Sequence, residues 1–407
     1  MKYVVVLGDG MADYPVAELG GKTPLQAANK PQIDALAKKG MLGLVKTIPD
    51  GMTPGSDTAN LAVLGYDPRK YYSGRSPFEA ASMGIVLAEE DVTFRCNLVT
   101  LSDGETYGDR IMLDHSADEI STEEAGILLE EVGRCLSTRD IRFYPGVSYR
   151  HLMVWRGAPL DWHLTPPHDI LGKAVGDYLP GGSSAGIITE LMIESTLFLP
   201  HHPLNVVRVA RGLRPANAIW FWGEGKKAQL TSFNHKYGLQ AAVISAVDLL
   251  KGIGFCAGMK LIHVAGSTGN LDTDFRGEAE AALAALQDGV DFVYLHIEAP
   301  DECGHRQETE NKVKSIELID NLTVKTLIDG LERLGEPYRM MILPDHATPL
   351  SLRTHTADPV PFLIYDSQHE QNGVSRSFDE QSAKDAGFYL GEGYRLMDLF
   401  LRKTEGK

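Results

Sequence analysis

Tyr3-Val4-Val5-Val6-Leu7-Gly8-Asp9-Gly10 is the stretch from which the rest of the chain can be read. An apolar run with three successive valines stops at a Gly-Asp-Gly turn. A run without polar alternation suits a strand buried on both faces, as in a parallel sheet covered by helices. Leu42–Ile48, Ala218–Trp222, Lys260–Val264, Phe292–Ile297 and Arg339–Leu343 repeat that pattern. Between them, Asp57–Leu64, Ala241–Leu250, Gly277–Leu286 and the long stretch Lys312–Leu334 carry helical spacing. Strands alternating with helices predict an α/β fold: a mostly parallel sheet with helices on both faces.

The middle of the chain breaks this rhythm. Val92–Leu101, Ile141–Tyr144 and Arg150–Trp155 read as strands around a helix at Thr122–Leu136. The expectation is a smaller α+β domain over residues 88–190, inserted into a core made of residues 1–87 and 191–407. The run Ile219-Trp220-Phe221-Trp222 reads as a core strand.

Composition narrows the function classes. The 407 residues are 43% hydrophobic and 23% charged, a globular balance with ample core rather than that of a disordered chain. Against 39 Lys and Arg stand 55 Asp and Glu, a formal charge of −16. That surplus disfavours nucleic acid and anionic membranes as partners. A small anionic substrate stays compatible, because local cations or bound metals can act against the net charge. No apolar run approaches the ~18 residues of a membrane span. The first residues lack the cationic and long apolar segments of an export signal. The four cysteines (Cys96, Cys135, Cys256, Cys303) form no CxxC pair. Both features predict a cytoplasmic protein.

In open α/β sheets ligands bind beyond the carboxyl ends of the strands. Three apolar runs end near an aspartate there: Asp9, Asp301 and Asp345. One such Asp is ordinarily a cap or a solvated loop residue. Here Asp301 has His305 four residues on, which a helical turn brings to the same face. Asp345 is followed by His346, and His355 lies nine residues later. Carboxylates with imidazoles suit Mn²⁺ or Zn²⁺ better than Ca²⁺ or Mg²⁺, and the ligand count suffices for two ions. Two adjacent metals form a clamp for in-line phosphoryl displacement. Ser56, in Pro54-Gly55-Ser56-Asp57-Thr58-Ala59-Asn60, reads equally as a helix N-cap or as a nucleophile beside such metals.

Together these segments resemble the archaeal-type cofactor-independent (2,3-bisphosphoglycerate-independent) phosphoglycerate mutases of the alkaline phosphatase superfamily. The resemblance runs from Gly8-Asp9-Gly10-Met11 through Gly21-Lys22-Thr23-Pro24, Gly55-Ser56-Asp57-Thr58-Ala59-Asn60 and Gly74-Arg75-Ser76-Pro77. It continues in Glu298-Ala299-Pro300-Asp301-Glu302-Cys303-Gly304-His305, Pro344-Asp345-His346 and Thr354-His355-Thr356. It implies an alkaline-phosphatase-like core with an inserted substrate-binding cap. Asp9, Ser56, Asp345 and His346 would surround one ion, and Asp301, His305 and His355 the other. Mn²⁺ is the favoured metal, with Zn²⁺ and Mg²⁺ as alternatives. Ser56 would be transiently phosphorylated while 2- and 3-phosphoglycerate interconvert. Lys22, Arg75, Arg110, Arg150, His151 and His168, with Lys173, are the candidate contacts to a small phosphorylated substrate. His151 and His168 are also candidate proton shuttles.

One stretch departs from the pattern. Where such mutases show an Arg-rich D-R-R-A-G-R segment after the aspartate, this chain has Asp114-His115-Ser116-Ala117-Asp118-Glu119. A less anionic acceptor such as homoserine, or water in a phosphatase or phosphonate hydrolase, is the competing expectation. The chain has no GxxxxGK[ST] loop and no GxGxxG turn, which argues against P-loop kinases and Rossmann dehydrogenases. Oligomeric state is not set by the sequence.

Overall fold

The computed structural model describes residues 1–370 and 377–402. The chain divides into two compact units, Met1–Tyr72 with Gln229–Lys407, and Ser73–Ala228.

The first unit is built on an eight-stranded sheet. Its strand order is Tyr389–Leu390, Met41–Val45, Val360–Asp366, Tyr338–Leu343, Lys2–Gly8, Phe292–Ile297, Ala241–Ile244 and Lys260–Ile262. Lys2–Gly8 lies at the middle, parallel to both neighbours, with Leu7 opposite Leu343 and Gly8 opposite Ile297. Val360–Asp366 runs antiparallel to the strands on either side, so the sheet is mostly but not wholly parallel. Val4, Val5, Val6 and Leu7 are all fully buried. Alternate residues point to opposite faces, and both faces are covered. Val4 and Val6 pack with Val293, Leu295, Met340 and Ile342 against Ala279, Ala282 and Leu286 of the helix Phe275–Gln287. Burial of such side chains at about 1.5–3 kcal/mol each is what orders this centre.

Two expectations need correction. Ala241–Leu250 does not form one helix. Ala241–Ile244 is a buried strand paired with Phe292–Leu295, and the helix starts at Asp248 and ends at Cys256. An alanine-rich run with a β-branched centre satisfies either pattern, and sheet pairing decides it. The long helical stretch is also interrupted, because Ile319–Val324 winds as a π-helix between Thr309–Leu318 and Lys325–Leu334. Asp320 in that stretch accepts hydrogen bonds from the N–H groups of Gln32 and Ile33, at the head of the helix Pro31–Ala37.

The second unit is an antiparallel α+β body. Asp91–Leu101 is its long strand, flanked by Arg150–Arg156 and Ala218–Lys226, with Met112–Asp114 and Ile141–Tyr144 completing the sheet. One face packs on the helices Thr122–Leu136 and Ala185–Phe198 through Leu128, Val132, Ile188 and Met192. Ala80 of the helix Ser76–Ser82 packs with Leu152 and Val154. The unit is wider at both ends than residues 88–190. Ala218–Lys226 belongs here, against Val92–Val99, rather than in the parallel sheet. A hydrophobic run announces a strand but not its partner. Trp220 and Phe221 are core residues, as read from the sequence, whereas Trp222 lies half-buried under the Arg95 guanidinium.

Candidate metal centre

Three adjacent parallel strands deliver the acidic residues. Asp9 follows Lys2–Gly8, Asp345 follows Tyr338–Leu343, and Asp301 stands in the first turn of the helix Ala299–His305 after Phe292–Ile297. Gly10 makes the closeness tolerable. It has φ +60°, and a Cβ there would lie 2.7 Å from Asp301 Oδ1 and 2.5 Å from Thr348 Oγ1. Its N–H also donates to Asp345 Oδ1 at 3.3 Å.

Asp9, Asp345 and His346 form one group and Asp301, His346 and His355 a second, each able to hold a metal ion. His346 Nε2 lies 3.4 Å from Asp345 Oδ2, 3.5 Å from Asp9 Oδ1 and 3.1 Å from Ser56 Oγ. The tautomer of His346 follows from its other nitrogen. Thr348 Oγ1 donates its one proton to Asp301 Oδ1, so toward His346 Nδ1, 3.3 Å away, it can only accept. Nδ1 then carries the hydrogen, and the Nε2 lone pair faces the carboxylates. Burial holds the His346 imidazole down to about 4. Asp9 Oδ1 is buried without a hydrogen-bond partner. Burial, followed by the charges of Asp345 and Asp301, pushes the Asp9 carboxyl well up. A divalent cation at this point would take the place of the proton that burial and the neighbouring carboxylates hold on Asp9, and would accept the lone pairs of Asp9, Asp345 and His346 together.

Ser56 opens the helix Ser56–Val63. Asn60, one turn on, fixes that helix. Its amide donates to Ser56 O and to Asp345 Oδ2, each at 2.8 Å, and its Oδ1 accepts from the Tyr294 hydroxyl at 2.5 Å. Ser56 does not act as the N-cap, since Gly55 holds that position.

At the second group, His305 Nε2 lies 3.1 Å from Asp301 Oδ2 and 2.9 Å from His355 Nε2, and His355 Nε2 is 3.4 Å from Asp301 Oδ1. His305 Nδ1 donates to the Arg353 carbonyl at 2.9 Å. In the neutral ring that leaves a lone pair on Nε2, aimed at the same point as the other two residues. Burial opposes the charged form of His305, but Asp301 outweighs it and lifts the imidazole to about 9. Burial likewise works against ionised Asp301, yet His305 and His355 hold it well below the usual carboxylate range. Lys312, fully buried, ties the surrounding loops by donating to Asp13 Oδ2 at 2.7 Å and to Thr348 O at 2.8 Å.

All seven expected ligand positions therefore share one neighbourhood. Two residues near them escaped the sequence reading. His296 and Glu298 form a third group with Asp9. His296 hides inside an apolar strand, and Glu298 looked like a connector to Asp301.

The expected substrate contacts are scattered. Lys22 stands on an exposed turn of the first unit. In the second unit, Glu79 lies 3.1 Å from Arg75 Nε and 3.0 Å from Arg95 Nε. Arg95 stacks 4.2 Å from the Trp222 ring, and that ring packs edge-on against His168 at 5.2 Å. His115 packs on both His168 and Tyr149, and Arg150 lies over the Tyr149 ring. Arg95, His115 and Trp222 thus join Arg75, Arg150 and His168 in one cationic and aromatic group. Lys173 Nζ instead reaches Asp169 O at 3.2 Å. Arg110 is half-buried, its Nε without a hydrogen-bond partner. His151 is a different case. It is 1% exposed, accepts from Gly146 N–H at Nδ1, and burial drives its imidazole down to about 3. A histidine so held is a poor proton shuttle near neutrality.

The segment Asp114–Glu119 is a turn with Ala117, Asp118 and Glu119 all at positive φ (51°, 56° and 49°). Asp114 accepts from Ser116 N–H and hydroxyl and from Asp118 N–H, and Arg214 pairs with it at 2.9 Å. The Ser116 hydroxyl is thereby spent inside the turn, and the acids there are balanced by an arginine supplied from elsewhere.

Residues 37–205 match the family described as 2,3-bisphosphoglycerate-independent phosphoglycerate mutase. A protein of that name from Methanothrix thermoacetophila is 51% identical, covering 98% of this chain and 100% of the relative. One from Methanosarcina barkeri is 47% identical over 99% of this chain and 100% of its own length. A solved Pyrococcus horikoshii protein superposes with a TM-score of 0.82 at 28% identity, over 100% of this chain and 98% of the other. Among the described residues no helix is long and apolar enough to cross a membrane.

Proposed function

We infer the activity from kinship: the chain belongs to the 2,3-bisphosphoglycerate-independent phosphoglycerate mutase family, and it interconverts 2-phosphoglycerate and 3-phosphoglycerate in a metal-dependent reaction. Asp9, Ser56, Asp345 and His346 are assigned to one divalent ion and Asp301, His305 and His355 to the other. Mn²⁺ is the proposed metal, because mixed carboxylate and imidazole donors suit it. When bound, such ions would withdraw charge from phosphoryl oxygens and favour the alkoxide of a serine.

Ser56 is the proposed nucleophile. Its hydroxyl gives up a proton as the Oγ–P bond forms and the substrate's ester O–P bond breaks, and the departing glycerate alkoxide takes up a proton. The same glycerate then attacks phosphoserine 56 through its other hydroxyl, giving up a proton and restoring the serine. The helix beginning at Ser56 presents its N-terminal potential to the transferred phosphoryl group. Asn60 holds the serine backbone and Asp345 in fixed relation through both reactions. Arg75, Arg150 and His168 are proposed to hold the anionic ends of the substrate, with Lys22 and Arg110 as further candidates.

The observation that carries the Ser56 assignment is its hydroxyl 3.1 Å from His346 Nε2, inside the cluster of carboxylates. The test is turnover of 3-phosphoglycerate with added Mn²⁺, run beside ATP-dependent phosphorylation of homoserine and beside phosphate release. Formation of 2-phosphoglycerate, abolished by chelator, is the expected result. Activity on homoserine alone, or phosphate release without isomerisation, would sink the reading.

A further inference from the structure

We propose that His296 is a positioning residue that fixes which oxygen of Asp9 faces the metal centre. The inference rests on the reading of Asp9 as a metal ligand. His296 is buried at 1% exposure in the strand that flanks Lys2–Gly8. Its Nε2 lies 2.8 Å from Asp9 Oδ2 and 3.6 Å from Glu298 Oε2, and its Nδ1 lies 3.1 Å from Ser245 Oγ.

Proton bookkeeping selects among the arrangements. Ser245 Oγ already accepts the Val247 N–H at 3.0 Å, leaving its hydroxyl proton free to point at His296 Nδ1. A ring that accepts there carries its one hydrogen on Nε2, and an imidazolium carries a hydrogen on both nitrogens. In either case Nε2 donates to Asp9 Oδ2. With Asp9 ionised, as a metal ligand is, the remaining arrangement, with a bare Nε2, would set a lone pair against a carboxylate 2.8 Å away, which the low-dielectric interior penalises. The relay from Val247 through Ser245 and His296 therefore occupies Asp9 Oδ2. Oδ1, which has no hydrogen-bond partner, is left turned toward His346 at 3.5 Å. Outer hydrogen bonds of this kind typically change metal affinity ~10–100-fold when removed.

A rival role uses the same atoms: His296, Asp9 and Glu298 could together take a third cation, which needs the bare Nε2. Mn²⁺ titration calorimetry and metal content on the full chain separate the two. Two ions per chain are expected in wild type and in His296→Gln, His296→Leu and Ser245→Ala. Mn²⁺ affinity should fall by ~10–100-fold in His296→Leu and less in Ser245→Ala. His296→Gln, which keeps an N–H donor, should recover part of the loss. At saturating Mn²⁺ the KM for phosphoglycerate should not move, which a merely distorted fold would not allow. Three ions in wild type and two in the His296 variants would overturn the proposal. So would unchanged affinity in His296→Leu or, should the Leu variant not fold, a full-sized loss in His296→Gln beside unchanged affinity in Ser245→Ala. Wild type that takes up no Mn²⁺ would instead remove the metal assignment itself.

Discussion

The two halves of the metal centre are opposites in accessibility and charge. Asp9 and His346 have fully buried side chains, whereas those of His305 and His355 are 34% and 19% exposed. In the buried half the carboxyl of Asp9 is pushed up and the imidazole of His346 down, so neither group neutralises the other. In the open half the shifts are reversed. Asp301 is held ionised and His305 protonated, a pair that satisfies itself without a cation. Burial, joined at Asp9 by the charges of Asp345 and Asp301, explains the first case; a carboxylate between two imidazoles explains the second. To receive an ion the buried half must ionise a carboxyl that its surroundings keep neutral, while the open half must take the proton from an imidazole that a carboxylate keeps charged.

The largest effects should come from the buried half. Ser56→Ala is expected to lower mutase turnover by roughly 10⁴-fold or more, measured as 2-phosphoglycerate formed from 3-phosphoglycerate. Asp345→Ala should add a structural penalty, because it strands the donors Gly10 N–H, His346 N–H and the Asn60 amide at ~1–3 kcal/mol apiece. A reduced melting temperature accompanying the lost activity is the signature to look for. His355→Ala in the open half should cost ~10²-fold, with the melting temperature retained and part of the activity restored by excess Mn²⁺. Matching losses and matching stabilities in the two variants would erase the distinction between the halves.

A smaller effect lies in the pH dependence of metal uptake. The imidazolium of His305 loses its proton only near pH 9, so Mn²⁺ binding to the open half should strengthen ~tenfold per pH unit up to that point and then level off. Titration calorimetry in buffers of different ionisation heat would show about one proton released per ion. A pH-independent affinity between pH 6 and 8 would count against the assignment.

The smallest expected effect lies in the second unit, where His151 isolates burial from metal chemistry. Its folded value of about 3 lies below the ordinary value near 6.5, so the unfolded chain binds the proton first. Its contribution is complete above pH ~6.5 and is lost as pH falls toward 3, at up to ~1.4 kcal/mol per pH unit. Denaturant midpoints at pH 6.5 and 5.5 should differ more in wild type than in His151→Gln. Equal differences would mean that His151 is not held neutral by its surroundings.

The legibility of these features follows their chemistry. Asp9, Asp301 and Asp345 were readable because an aspartate stops an apolar strand in each case, and His305 because it lies one helical turn from Asp301. His355 was readable only as a histidine nine residues beyond His346, and the family resemblance assigned it to the ion of Asp301. His296 sits among apolar residues, where a histidine ordinarily packs as a satisfied core group, and only the neighbouring strand reveals Asp9 beside it. The strand Val360–Asp366 was missed because Pro361 speaks against a central strand, yet it pairs on both sides. Arg95 and Trp222 belong to strands far apart in sequence, so their stacking could not be anticipated. The boundary of the inserted unit failed for the same reason: Ala218–Lys226 reads alike in either sheet.

Asn60 carries one further consequence. Both hydrogens of its amide are directed to Ser56 O and Asp345, and its oxygen accepts from the Tyr294 hydroxyl, so neither end of the amide can be exchanged for the other. Exchanging the amide nitrogen for oxygen, as in Asn60→Asp, alters the shape of the side chain scarcely at all. It would, however, put an anion against Asp345 and remove the tether to the serine turn. Any redesign that scores only volume would accept that exchange, and a catalyst that tolerated it would have to have moved its serine.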